Sequence, residues 1–490
     1  MENPYYIYGA RQNAAKQKAA GAISRAGEIS AAALALPPLP SIAGATMVTP
    51  SHSQYASLLP LHNKRNNAHP ALRIMCTSTQ AVADSVNWVR ANNLPLALRS
   101  GGHCYEGFSQ SEGVVIDIRK MGLVTVDAAN QKVVVSAGAS LGKVYQKVSD
   151  AGFAFAAGSC PTVGIAGHTL GGGMGLLGRK FGLCCDNLLA VRIVGADGVI
   201  RIADAMNEPD LFWACRGGGG GSFGVVTQFT FKIHPVAQVR TFGLVWSFAN
   251  TNAGMNLAAS LFNAWQNWAP HAPNEITAIM KVQRSGSNLM LRCIGQSTGT
   301  SATLSQELTA LTGIVSAGSG PSITLRTFFG AVKAFGGSFD YQSLFFEAKS
   351  DVVAAPLSTV GIKALFSAIM AQPSAHVAAL CDAYGGTIAN IPANQSAFPH
   401  RGAGTYAIQY YSSWGASSTP LTTATRLAEI GNVYNAMRPH MTNAAYVNYC
   451  DLGLGANYAT DYWGPNLARL QQIKAASDPA NLFQHAQSVP

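Results

Sequence analysis

Two glycine-dense segments constrain this chain more than anything else in it. The first reads Arg99-Ser100-Gly101-Gly102-His103-Cys104-Tyr105-Glu106-Gly107. The second spans 158–175 and holds Gly164, Gly167, Gly171, Gly172, Gly173 and Gly175. Backbone without Cβ atoms approaches a phosphate closely and tolerates positive φ. Such loops therefore suit a diphosphate-bearing cofactor. One of them alone is most often a plain turn. Two, with a third run at 217–221, argue for a dinucleotide site. The site is not a Rossmann crevice. That fingerprint is a single GxGxxG between a first strand and a helix, with an acid about 20 residues on. Here 171–175 follows a loop, no acid stands at that distance on a strand end, and no GxxxxGK phosphate loop occurs. The cofactor must sit on another scaffold.

The surrounding pattern gives an α+β chain. The runs at 114–118 and 133–136 are β-branched and predict strands, while 141–151 has helical spacing. A hairpin is expected over 191–202, turning at Asp197-Gly198. A short helix at 209–213 and a strand at 225–233 complete this body. Near residue 236 glycine thins. Amphipathic stretches at 255–268, 360–370 and 421–437 then alternate with strands at 278–283 and 289–294, and Pro420 stands where a helix start tolerates it. This predicts an antiparallel sheet backed by helices. Residues 438–490 have no core of their own and are expected to return to the first body. The chain thus divides into an N-terminal arm (1–64, with a helical stretch at 13–25), a cofactor domain (65–235), a substrate domain (236–437) and a closing segment (438–490).

Composition excludes several classes. Of 490 residues, 48% are apolar and only 11% charged, against roughly 25% charged in an average domain. Disorder needs the opposite balance. The net charge of +10 is scattered, with no basic block longer than a pair such as Arg179-Lys180. Nucleic acid is therefore not an expected partner. No apolar run reaches the roughly 18 residues of a membrane span. The most apolar stretch, 29–45, is broken by Pro37, Pro38 and Pro40, and basic residues precede it. The expected location is cytoplasmic, with export as the alternative. Nine cysteines without a CxxC spacing suit neither a disulfide framework nor a zinc site. No metal is expected, and at least one thiol should be free.

The strings RSGGHCYEG (99–107), SCPTVGIAGHTLGGGMGLLGRKFGLCCDN (159–187) and DLFWACRGGGGGSFGVVT (210–227) resemble the berberine-bridge-enzyme-like oxidases. These belong to the vanillyl-alcohol-oxidase, or PCMH-type FAD, superfamily. YVNYCD (446–451) and YWGPN (462–466) resemble the closing segment of that family, which includes glucooligosaccharide and hexose oxidases. The likeness covers about 65–490. It implies a two-part PCMH-type FAD domain, a substrate domain, and FAD attached bicovalently through His103 to the 8α carbon and Cys160 to C6. It also places Arg99, Ser100, Gly101, Gly102, Cys104, Tyr105, Ser159, Val163, Gly164, Gly167, His168, the 171–175 glycines, Gly224, Val225, Asn448 and Asn466 around the cofactor. Cys104 lies outside the matched cysteine position. A thiolate at Cys160 would be favoured by loop N–H groups.

The reaction so implied is oxidation of an alcohol, in a sugar or oligosaccharide, by hydride transfer to flavin N5, with O2 reoxidation giving H2O2. The resemblance makes Tyr449 the base that takes the hydroxyl proton. An ordinary phenol pKa near 10 must fall for this role, and Arg292 is a candidate cation. Gln409, Tyr384 and Tyr411 are expected on the substrate side. Gln409 can orient but not deprotonate. Tyr446 is expected to point away from Tyr449, into the core, as it would in a strand. Met174 and Ala407 depart from a tyrosine and a lysine of the plant enzymes. Val163, three residues after Cys160, goes with oxygen use in relatives. A dehydrogenase with another acceptor, or a flavin-carrying binding protein without turnover, are the alternatives. Trp246, Trp265, Trp268, Phe328, Phe329 and Trp414 are available to stack on sugar rings, with most expected as core.

Overall fold

The computed structural model describes residues 36–415 and 418–490. The helical stretch expected at 13–25 lies outside them. The first sheet contains β1 (Ala45–Val48), β2 (Leu72–Cys76), β3 (Leu96–Arg99) and β4 (Val114–Asp117), in the order β1-β2-β4-β3. Strands β2, β4 and β3 run parallel. Parallel neighbours need a crossover, and the helix Thr79–Ala91 supplies it between β2 and β3. The Ser78 hydroxyl caps that helix, accepting from the Ala81 N–H at 3.1 Å. Such a cap contributes about 1 kcal/mol. Its Ala81, Val82, Val86 and Val89 are buried.

The arm expected over 1–64 is corrected for its described part. Strand β1 pairs antiparallel with β2, Ala45 opposite Cys76. Four residues are too short for periodicity to reveal, and pairing with β2 is a long-range event.

The second sheet holds β5 (Val124–Asp127), β6 (Lys132–Ser136), β7 (Leu188–Val194), β8 (Ile200–Asp204) and β9 (Val225–Lys232), ordered β5-β6-β9-β7-β8 and antiparallel throughout. The expected hairpin is β7–β8, and Gly198 takes φ +77° in its turn. Both sheets share one core with the helix Leu141–Asp150. Ala445, Trp463, Leu470, Phe483 and Val489 join that same core, so the last segment packs on the first body.

The third sheet holds β10 (Gln238–Ala249), β11 (Ile276–Ser285), β12 (Asn288–Ser297), β13 (Ser319–Thr327), β14 (Phe345–Val353), β15 (Val377–Ala383) and β16 (Tyr406–Trp414). Its order is β13-β10-β12-β11-β15-β16-β14, antiparallel throughout. Two-residue alternation splits its side chains. Met280, Val282, Ala379, Cys381, Tyr406, Ile408 and Tyr410 pack under the helices Asn252–Trp268, Thr359–Ala371 and Pro420–Met437. Ile279, Ala378 and Leu380 emerge on the opposite face, against Leu176 of the second glycine segment. That face closes over the glycine loops.

Candidate functional site

A cavity of about 350 Å³ lies between the glycine loops and the third sheet. Its loop wall is set by backbone contact. A Cβ on Gly101 would lie 2.3 Å from the Gly164 nitrogen, so the two loops touch where only glycine fits. A Cβ on Gly175 would lie 1.9 Å from the Ala157 oxygen. This contact brings His103 and Cys160 into one wall, with Ser100, Gly102, Tyr105, Ser159, Val163, Gly167, Gly224 and Val225.

The Nε2 atom of His103 is buried and has no hydrogen-bond partner. The His103 ring stacks on His62 at 4.0 Å, and its remaining polar contact is to the Thr162 backbone. Burial, reinforced by His62, holds its pKa well below the ordinary value, so the ring is neutral with an unused lone pair. That is what a flavin-bonding imidazole requires. Cys160 differs from its expectation: burial pushes its thiol up to about 12, with no loop N–H opposing the shift. In the protein alone it is a thiol, because the loop N–H groups do not converge on its sulfur.

His168 lines the cavity, and its Nε2 accepts from the Gly158 N–H at 2.9 Å. Burial lowers its pKa to about 4, so it is a neutral loop clamp. Arg99 also lines the cavity, and its guanidinium donates to the carbonyls of Leu58 and Pro60 and to Gln110. Gly171, Gly172 and Gly173 stand behind the wall. A Cβ on Gly171 would strike the Asn448 side-chain oxygen at 2.1 Å. Asn448 itself reaches the cavity, and its amide holds the His168 carbonyl at 3.0 Å. Asn466 is not brought to the cavity; its amide binds the carbonyls of Ala393 and Ser396.

The turn bearing Tyr449 corrects one expectation. Residues Val447–Tyr449 form a 3₁₀ turn, not a strand. Positions i and i+3 of such a turn lie on the same side. Tyr446 and Tyr449 accordingly meet edge to face at 4.9 Å, and both line the cavity. The Tyr446 hydroxyl accepts from the N–H groups of Gly173 and Met174 and from the Asn448 amide. Burial still raises it to about 12. Tyr449 stacks on Tyr105 at 5.6 Å, nearly parallel, and the Gln409 amide donates to the Tyr105 hydroxyl at 3.0 Å. Gln409 is thus fully buried and acts on Tyr105 rather than facing the cavity.

On the sheet wall Tyr411 reaches the cavity, whereas Tyr384 and Arg292 do not. The Tyr384 hydroxyl is buried without a partner behind the wall. None of the six aromatics considered for stacking on sugar rings lines the cavity, and Trp246 and Trp265 are core, packed under the helices. A residue missed by the sequence stands there instead. Asp382 on β15 opens onto the cavity, and desolvation raises its pKa to about 7. Its signal was one acid in the otherwise apolar strand Val377–Ala383. His62 was also missed, and nothing in its neighbourhood marks it. Glu106, Glu347 and Asp451 cluster as possible metal ligands, but Arg65 and Lys349 already pair with them.

Comparison with known proteins places this geometry among flavoproteins. The family described as FAD binding domain matches residues 70–204, and that described as berberine and berberine like matches 445–490. The uncharacterized FAD-linked oxidoreductase YgaK of Bacillus subtilis is 32% identical over 429 residues, covering 86% of this chain and 91% of its own. The monolignol oxidoreductase AtBBE-like 13 of Arabidopsis thaliana is 33% identical over 439 residues, covering 81% of this chain and 79% of its own. Among solved structures, Phl p 4, a grass pollen allergen with glucose dehydrogenase activity, superposes with a TM-score of 0.81. Its identity is 28%, over 91% of this chain and 96% of that one.

Proposed function

The chain belongs to the berberine-bridge-enzyme-like family of FAD-linked oxidoreductases, and from that premise we propose that it oxidises the hydroxyl group of a sugar, an oligosaccharide or a comparable alcohol. FAD, when bound, supplies the hydride acceptor and passes the electrons on. The protein supplies attachment, orientation and a base. His103 and Cys160 would both hold the flavin covalently; the partnerless Nε2 of His103 supports this. The observation that carries the reading is that Tyr449 and Asp382 share one cavity with those two anchors. Tyr449 is the proposed base, held flat by Tyr105, which Gln409 steadies. One observation favours a second assignment. A carboxyl raised to about 7 is poised for proton abstraction near neutral pH, so Asp382 competes for the role. Val163 in the cavity wall supports oxygen as acceptor, with hydrogen peroxide as product. A relative named for monolignols and one with glucose dehydrogenase activity support a hydroxyl-bearing substrate.

The test mixes the protein anaerobically with glucose, cellobiose and coniferyl alcohol and follows flavin bleaching. Admission of air should restore the colour and release peroxide. Bleaching by none of these, at any concentration, would sink the alcohol reading. Acid precipitation should leave flavin on the pellet in wild type and in His103→Ala or Cys160→Ala, and free it only in the double variant. An intact mass equal to the bare polypeptide would rule the two bonds out.

A further inference from the structure

Cys104 and Cys450 meet Sγ to Sγ at 3.6 Å, although 346 residues separate them in the chain. Cys104 directly follows His103, and Cys450 directly follows Tyr449. Both line the cavity wall. A disulfide needs the sulfurs at about 2.05 Å, so closure asks for a movement of roughly 1.5 Å, within reach of small side-chain rotations. No other described cysteine has a second sulfur as its hydrogen-bond partner: Cys76 meets Ser85, Cys184 meets Thr169 and Cys185 meets Asp186.

The two thiols are not equivalent. Cys104 is drawn below its ordinary pKa by the Cys450 S–H, helped by the backbone N–H of Phe108, which reaches its sulfur at 3.3 Å. Cys450 is pushed up, first by the same hydrogen bond and then by burial. One sulfur is prepared to attack as thiolate and its neighbour to resolve the product.

We propose that Cys104 and Cys450 form a peroxide-oxidisable dithiol, whose disulfide ties the His103 loop to the Tyr449 turn across the cavity wall. The chemistry balances in two steps. The Cys104 thiolate attacks one oxygen of a peroxide, forming an S–O bond as the O–O bond breaks. The leaving oxygen takes up the proton that Cys104 had released, which for hydrogen peroxide gives the sulfenic acid and one water. The Cys450 sulfur then displaces that hydroxyl as a second water, forming the S–S bond. Both electrons pass to the peroxide. The site goes beyond alcohol oxidation: an added peroxide suffices, and oxidase turnover would generate the same oxidant in place.

The test uses the full-length, flavin-loaded protein with no alcohol present, so that it does not depend on the proposed turnover. Hydrogen peroxide is added, remaining thiols are blocked with iodoacetamide, and unreduced peptides are mapped by mass. The Cys104 and Cys450 peptides should appear joined, two hydrogens lighter than their sum, and dithiothreitol should separate them. Exactly those two thiols should lose reactivity to iodoacetamide, the core cysteines keeping theirs on unfolding. In Cys450→Ser the sulfenic acid at Cys104 should persist and be trapped by dimedone. Wild-type mapping decides the matter even if a variant folds poorly. Both thiols still alkylated after peroxide, or Cys104 carried to a sulfinic acid while Cys450 stays free, would overturn the pairing.

Discussion

The two walls of the cavity are built on different principles. The loop wall is fixed by backbone approach: Gly101 and Gly164 touch where a single Cβ would lie 2.3 Å from a main-chain nitrogen. The sheet wall is fixed by alternation along β15 and β16, where a change of side chain leaves the strands paired. The first wall should therefore fail as a whole and the second position by position. Gly101→Ala tests this most severely. It should abolish flavin incorporation, because the loops must separate and His103 and Cys160 part. Absorbance of the purified variant checks it, and full flavin content there would break the contrast.

The same difference explains what could be read in advance. A wall that demands glycine at many backbone positions writes a long motif, and that motif carried His103, Cys160 and Val163 to the cavity. The sheet also followed from its periodicity. The residues facing inward from it did not. Gln409 and Tyr384 were expected at the substrate, yet one steadies Tyr105 and the other lies behind the wall. Alternation tells which residues share a face, but not how far along the strand the cavity extends. Tyr446 is buried in a hydrophobic cluster as expected, but on the same side as Tyr449, because four residues cannot separate a 3₁₀ turn from a strand, and i+3 falls on opposite sides in the two.

Which wall supplies the base is the next question. Tyr449→Phe should slow flavin reduction by at least ~10²-fold at saturating alcohol, the low end for a positioned base. The hydroxyl alone is lost, so the stack on Tyr105 should persist. If Asp382 is the base, Asp382→Asn inherits that loss, and the wild-type rate rises with pH to a plateau just above about 7. If Tyr449 is the base, Asp382→Asn keeps most of the rate. Rapid-mixing reduction of both variants from pH 6 to 10 decides between Tyr449 and Asp382. A smaller effect is expected at Val163. Val163→Leu adds bulk beside Cys160 and should slow reoxidation by oxygen roughly tenfold, about 1.4 kcal/mol in barrier, while sparing reduction. Slowing of both halves alike would point to a disturbed loop instead.

The smallest effect is one of stability, and it asks whether the sheet wall holds strain for function. Desolvation raises the Asp382 carboxyl from the ordinary 3.8 to about 7. The folded protein therefore binds this proton more tightly than the unfolded chain does. Between those two values the native state holds more protons, so the contribution of Asp382 to stability falls as pH rises, and levels off above about 7. Three pKa units would correspond to about 4 kcal/mol in full burial. Water entering the cavity screens the charge, and roughly 1–2 kcal/mol is the expectation. Asn cannot ionise and has nearly the same shape. Asp382→Asn should then melt a few degrees above wild type at pH 8 and close to it at pH 4. A gain in stability joined to a loss of flavin reduction would identify Asp382 as a group kept for chemistry at the expense of the fold. Equal melting temperatures at both pH values would mean that the carboxylate is well solvated, leaving Tyr449 and the loop wall with the proton transfer.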